Sequence, residues 1–176
     1  MAGQRLTDKT ALAEQTGSGD LYMVVDVSDT TGSSAGTSKS IDSKFVIQTD
    51  KFSLSNAEVK ALHTSSKTLV GALSGYMVTP LSCTVLCTAD AGDLETSNKN
   101  LYLGYEPIST TNYWAYSSRF MGSQSTDNTY IFQSANKAPT ENSTILNKGF
   151  YMYSNGAFTG GWTCDVYLTY CYTKLL

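Results

Sequence analysis

Cys164-Asp165-Val166-Tyr167-Leu168-Thr169-Tyr170-Cys171-Tyr172, near the end of the chain, alternates in chemistry with a period of two. Cys164, Val166, Leu168, Tyr170 and Tyr172 fall on one side of an extended backbone, and Thr163, Asp165, Tyr167, Thr169 and Cys171 on the other. Successive side chains of a strand point to opposite faces, so this period is that of a β-strand with one side on a core. The same reading, carried back along the chain, predicts strands at 148–153, 129–133, 113–120, 100–105, 81–88 and 68–79, beside the last one at 162–173. In 81–88, Leu81, Cys83, Val85 and Cys87 share a face, and Leu86 interrupts the polar face opposite. The connections hold Gly, Asn, Asp, Ser and Pro, as in Ala89-Asp90-Ala91-Gly92-Asp93 and Ser154-Asn155-Gly156. With no helical pattern between these strands, residues 67–176 read as an antiparallel β-sandwich, jelly-roll-like.

Upstream the pattern changes. Leu54-Ser55-Asn56-Ala57-Glu58-Val59-Lys60-Ala61-Leu62-His63 is the one helical segment. Ser55 is placed as its N-cap, Glu58 completes a capping box, and Leu54, Val59 and Leu62 form its apolar stripe. Two or three turns are too short to stand alone, so residues 53–66 read as a linking helix that must dock on something. Leu21-Tyr22-Met23-Val24-Val25-Asp26-Val27 follows the turn Gly17-Ser18-Gly19-Asp20 and reads as a strand. A Gly/Ser/Thr loop leads from it to a returning strand at 38–41. Residues 1–52 are thus expected to form a β-hairpin arm, and two strands alone are marginal in water.

The chain has 176 residues and 19.0 kDa, enough for one domain with an attachment segment. Charged residues make up 15%, against ~25% in ordinary soluble proteins, and Ser and Thr fill the difference with about a quarter of the chain. The net charge of -3 and the scattered basic residues exclude nucleic acid and an anionic membrane surface as partners. No run of ~18 apolar residues is present, and the N-terminus lacks the apolar core of a signal peptide. The expectation is a protein folded in a cytoplasm with its four cysteines as thiols. Cys83 and Cys87 lie about 13 Å apart at normal strand rise, too far to bond.

Catalytic patterns are missing. The single histidine, His63, ends the helix, where an imidazole caps carbonyls. The Gly32–Lys39 loop has the composition of a phosphate loop without its spacing. Asp26 with Asp29, and Asp90 with Asp93, read as turn formers rather than a calcium site or a carboxylate pair. No catalytic, cofactor-binding or metal-ligating residue is assigned, and no cofactor is expected. The aromatic residues do carry a binding reading. Tyr113-Trp114-Ala115-Tyr116 and Phe150-Tyr151-Met152-Tyr153 place rings on both faces of their strands, and Trp162 opens the last strand. Tyr113, Trp114, Tyr116 and Trp162 are therefore the candidates for a glycan platform or a subunit interface, besides the core.

The stretch Gly19-Asp20-Leu21-Tyr22-Met23-Val24-Val25-Asp26-Val27-Ser28-Asp29-Thr30, followed by Gly36-Thr37-Ser38-Lys39-Ser40-Ile41, resembles the N-terminal attachment module of phage fibre proteins. There a strand ending in Asp-x-Ser-Asp-Thr leads through a Gly/Ser loop to Gly-Thr-Ser-Lys-Lys-Ile; Ser40 departs from the second Lys. The helix after it and Cys164-Asp165-Val166-Tyr167-Leu168-Thr169-Tyr170 are similar to the linking helix and last strand of such fibres. The likeness covers about the first 65 residues well and the rest in pattern. It points to fibres of short-tailed phages, the crAss-like group among them.

The resemblance implies a homotrimer located in the virion and assembled in the host cytoplasm. Residues 1–52 would contact other virion proteins, capsid or tail, and the β domain would project, with host-surface glycans as a further partner. The expected function is that of a non-enzymatic head fibre or capsid-decorating protein. The alternatives are a tail or collar component, such as a tail-fibre adaptor, and, in another class, a standalone carbohydrate-binding module. A chain that ends at Leu175-Leu176 without a long shaft suits a stubby fibre or an adaptor. In released virions, Cys87 and Cys164 are candidates for cross-strand neighbours that oxidise.

Overall fold

The computed structural model describes residues 21–32, 34–90, 93–134 and 142–174. The turn expected at 17–20, the loop positions Ser33, Ala91 and Gly92, and Leu175-Leu176 lie outside them. The chain separates into two compact units, one ending at Gln48 and one beginning at Thr49.

The first unit is a hairpin. Strands β1 (Leu21–Asp26) and β2 (Thr37–Asp42) pair antiparallel, from Leu21 opposite Asp42 to Asp26 opposite Thr37. The loop between them is organised by its aspartates. Asp26 accepts from the Ser28 amide and hydroxyl, and Asp29 does the same from Thr31. Lys39, returning on β2, sits 2.9 Å from both carboxylates. Gly36 turns at φ +109°, where a Cβ would stand 2.8 Å from the Asp26 carbonyl, so only glycine closes this loop. Both aspartates and the loop lysine thus have structural partners. The Thr31 and Lys39 hydrogen bonds hold Asp29 down to about 2.

The second unit is a two-sheet sandwich. Its strands are β3 (Gln48–Leu54), β4 (Lys67–Val70), β5 (Tyr76–Thr88), β6 (Leu101–Gly104), β7 (Tyr113–Ser117), β8 (Asn128–Phe132), β9 (Phe150–Ser154) and β10 (Thr163–Lys174). One sheet has the order β3-β10-β5-β8 and the other β4-β9-β6-β7. Four of these pairings, β3 with β10, β4 with β9, β5 with β8 and β6 with β7, join the first four strands of the sandwich to the last four in reverse order. A long antiparallel hairpin rolled so that its strands alternate between two sheets has this order, which is the jelly roll. The expectation of a mainly β chain with one short helix and an antiparallel, jelly-roll-like sandwich therefore holds.

In β10, Cys164, Val166, Leu168 and Tyr170 face the core, as their alternation requires. β5 departs from simple alternation. Val78 and Pro80 are buried, then Cys83, Val85 and Cys87, so the inward parity switches between them. The register opposite moves from Thr169–Ser82 to Tyr170–Pro80, leaving Leu81 as an extra, bulged residue, 43% exposed. Leu81 accordingly does not share the inward face of Cys83. Pro80, which has no amide to donate, is tolerated because β8 covers only Cys83–Cys87 of this strand. The strand expected over 68–79 is broken at residues 71–75, where Gly75 takes φ +83° and turns β4 into β5.

The sandwich begins before residue 67. Strand β3 includes residues 48–52, which the sequence reading places in the arm. It lies on the edge beside β10, with Thr49 bonded to Thr169 at 2.8 Å and Lys51 and Ser53 on Asp165 at 2.9 and 2.6 Å. Helix α1 (Asn56–Ala61) follows with the expected capping box between Ser55 and Glu58. Val59 and Leu62 are buried with Leu54, and Asn56 donates to the carbonyls of Gly160 and Trp162 at the start of β10. The helix is therefore docked on the sandwich. His63 Nδ1 meets the Lys60 carbonyl at 3.0 Å, the helix-end role expected of it.

Around the start of β10, Trp162 packs against Phe120 and Phe158, with ring centroids 5.1 and 5.3 Å away. A Cβ on Gly160 would stand 2.6 Å from the indole, so glycine is needed for the ring to lie there. Glu95 binds the same turn. Its carboxylate accepts from the amides of Ser97, Thr159 and Gly160 at 2.7, 2.8 and 2.9 Å while the residue is only 1% exposed. Burial alone would push this carboxyl up; the hydrogen bonds outweigh it and hold Glu95 below the usual range.

Candidate functional site on the outer sheet face

On β6, Leu101 and Leu103 face the core and Tyr102 faces the other way. The register sets Tyr153 of β9 opposite Tyr102 on one side and Tyr116 of β7 opposite it on the other. The rings form a ladder across three strands: Tyr153–Tyr102 at 5.6 Å with 7° between planes, and Tyr102–Tyr116 at 5.8 Å and 18°. Tyr113 adds a fourth ring, edge-on to Tyr116 at 4.9 Å and tilted on Tyr102 at 5.4 Å.

A second bulge brings Tyr113 and Tyr116 together. Strict alternation would put them on opposite faces. The register runs from Leu103–Ala115 to Gly104–Tyr113, which makes Trp114 the extra residue. Trp114 and Ala115 both turn inward, Trp114 against Phe150 at 5.8 Å, and Tyr113 and Tyr116 both remain outside. Gly104 permits this crowding, since a Cβ there would stand 2.9 Å from Tyr113 Cα.

The ladder grades from protein to solvent. Tyr153 is fully buried, Tyr102 nearly so, Tyr113 half-buried and Tyr116 46% exposed. Burial pushes the Tyr153 phenol up, and its hydroxyl has no hydrogen-bond partner among the described residues. Polar groups border the rings: Asn100 donates to the Tyr102 hydroxyl at 3.1 Å, and Asn112 donates to Glu106 at 2.8 Å in the connection from β6 to β7. An exposed tyrosine face beside amide and carboxylate groups stacks on a flat apolar surface and hydrogen-bonds at its edge. Of the sequence candidates, Tyr113 and Tyr116 are brought together on this face, whereas Trp114 and Trp162 are core residues. Tyr102 and Tyr153 complete the ladder and were not among the candidates; the Tyr-x-Tyr spacing of Tyr151 and Tyr153 was the available signal.

The hairpin carries a second surface of note. Leu21, Met23 and Val25 project from one face of β1 and Val24 from the other, and all four are exposed, Met23 at 67%.

No protein-family model and no curated protein sequence matches the chain. Among solved structures, it is similar to a chain described as "Cyanophage Pam1 capsid asymmetric unit", with a TM-score of 0.38 and 12% identity over 97% of this chain and 98% of that one. The jelly roll is established by the strand order described above and not by this likeness.

Proposed function

We propose that the chain is a non-enzymatic structural protein of a bacteriophage virion, a homotrimeric head fibre or capsid-decorating protein. The part of residues 1–52 that precedes β3 attaches it to other virion proteins, and the jelly roll is displayed. The observation that carries this reading is the exposed apolar hairpin. A two-stranded sheet is marginal alone, and Leu21, Met23, Val24 and Val25 in water mark a surface that another protein covers. These residues fall in the stretch whose sequence resembles phage fibre attachment modules. The displayed domain has an architecture used repeatedly in viral capsid proteins, which supports the reading without deciding it.

The test is the solution mass by light scattering of the full chain, beside a version starting at Val46 so that β3 is kept. A mass near three times 19.0 kDa supports the trimer. A monomer at micromolar concentration overturns a pre-formed trimer. Immunogold labelling of purified particles then separates a head position from the tail or collar adaptor.

The standalone carbohydrate-binding module is favoured by one observation, the exposed Tyr116 ring with Tyr113 and its polar border. It requires a monomer whose glycan binding falls about tenfold or more in Tyr116→Ala, as expected for losing one stacked ring worth about 1.5 kcal/mol. In a trimer the same platform is present three times and gains by avidity.

A further inference from the structure

Cys87 is the penultimate residue of β5 and Cys164 the second of β10. The register sets them directly opposite each other, both side chains point into the core, and their sulfurs are 3.4 Å apart. A disulfide bond is about 2.05 Å long, so closure asks the sulfurs to approach by about 1.4 Å, a small rotation of each side chain. The other cysteines have no such relation. Cys83 faces Leu168 and Cys171 faces Thr79 across the same strand pair. All four cysteines are free thiols.

We propose that Cys87 and Cys164 are an oxidation site that staples β5 to β10 when the folded protein meets a hydroperoxide. One sulfur, as thiolate, attacks the peroxide oxygen; the O–O bond breaks, hydroxide leaves, and a sulfenic acid forms. The facing thiol then attacks that sulfur, the S–O bond breaks, and a second hydroxide leaves. With the two thiol protons, two waters are released: two thiols lose two electrons and one peroxide gains them. The facing geometry favours the second step over further oxidation, because the sulfenic acid is born in contact with its resolving thiol.

Place and pace follow from the same surroundings. The pair lies near the ends of both strands, where local opening is easiest and a peroxide needs least room. The hydrogen bond shared with Cys87, together with burial, pushes the Cys164 thiol up, so the reaction is slow compared with an exposed, activated cysteine. The staple joins the two central strands of the β3-β10-β5-β8 sheet, positions 77 residues apart in the chain. A reducing cytoplasm leaves the pair open during assembly, and an oxidising medium outside the cell closes it. The chemistry rests on the strand register and not on the virion reading.

The experiment treats the full-length chain with hydrogen peroxide, then denatures it, counts thiols and maps alkylated peptides. The expected result is a fall from four thiols to two, with a Cys87–Cys164 cross-link within one chain that dithiothreitol reverses. The oxidised form should melt about 5–10 °C above the reduced one, in the range set by closing a long loop. Cys171→Ser should form the same cross-link, and Cys87→Ser should not. The proposal is overturned if Cys87 and Cys164 both alkylate after peroxide. It is equally overturned if they are recovered as sulfinic acids, or if oxidation appears only as dimers through Cys171. Peptide mapping of the unsubstituted chain decides the question even where Cys87→Ser does not fold.

Discussion

Glu95 shows how one residue can join parts of the chain that the sequence keeps apart. Its carboxylate gathers amides from Ser97, Thr159 and Gly160, two of them more than sixty positions away, and so holds the turn that carries Trp162 into the core. Nothing near Glu95 in the sequence announces this, because the donors are backbone groups that any residue would offer. Glu95→Gln keeps the volume but replaces an acceptor with a donor that faces amides. The expected loss is about 1–3 kcal/mol at pH 7, read by urea unfolding. The folded-state pKa of Glu95 is depressed, so its contribution is fully present above the unfolded value of about 4.3 and is lost as pH falls through the lower folded value. The gap between the natural chain and Glu95→Gln should therefore narrow as pH falls below the unfolded value of about 4.3. A gap that stays constant with pH would remove the carboxylate's charge from the account. At the same scale, Tyr113 and Tyr116 were legible as binding candidates but their meeting was not, since a one-residue bulge at Trp114 decides which ring points where.

The elements differ in what sustains them. Helix α1 has only Asn56–Ala61 in helical geometry, far below the length at which a helix stands alone. Its capping box is local and was readable in the sequence, yet its stability comes from Val59 and Leu62 in the core. Ser55→Ala should cost about 1 kcal/mol and Leu62→Ala about 2–5 kcal/mol, measured as shifts in denaturant midpoint. Equal effects would mean that the cap, not the packing, positions the helix. Strand β5 depends on Leu81 in a different way. Its side chain is exposed, so Leu81→Thr should change stability by no more than about 0.5 kcal/mol. Deleting Leu81 removes the extra residue and turns either Val78 and Pro80 or Cys83, Val85 and Cys87 to the outside. The expected outcome is loss of soluble folded protein, checked by circular dichroism of the expressed chain. Strand β3 was missed because an edge strand needs only part of one face apolar. Gln48-Thr49-Asp50-Lys51 is held through hydroxyl and charge contacts to β10, such as Tyr170 to Asp50 at 2.8 Å.

At the scale of the whole molecule, the chain holds two compact units, a hairpin with exposed apolar side chains on β1 and a sandwich with its own buried core. Met23→Lys combined with Val25→Lys places charge on the apolar face of β1 and leaves every sandwich residue in place. If that face binds a virion protein, the variant should fail to co-sediment with fibre-free particles, while the melting temperature of its jelly roll stays within about 2 °C. Undiminished binding would move attachment to another surface. The sequence alone determined the β character, the capped helix, the hairpin and the inward face of β10, because each is a periodicity or a local bonding pattern within about twenty residues. Only the tertiary structure decided that β3 pairs with β10, that two bulges re-aim β5 and β7, that the tryptophans are core, and that Cys87 meets Cys164. Those outcomes turn on which strands lie side by side. Partners such as Thr49 and Thr169 stand 120 positions apart, and burial of the assembled sandwich, not any local signal, chooses between them.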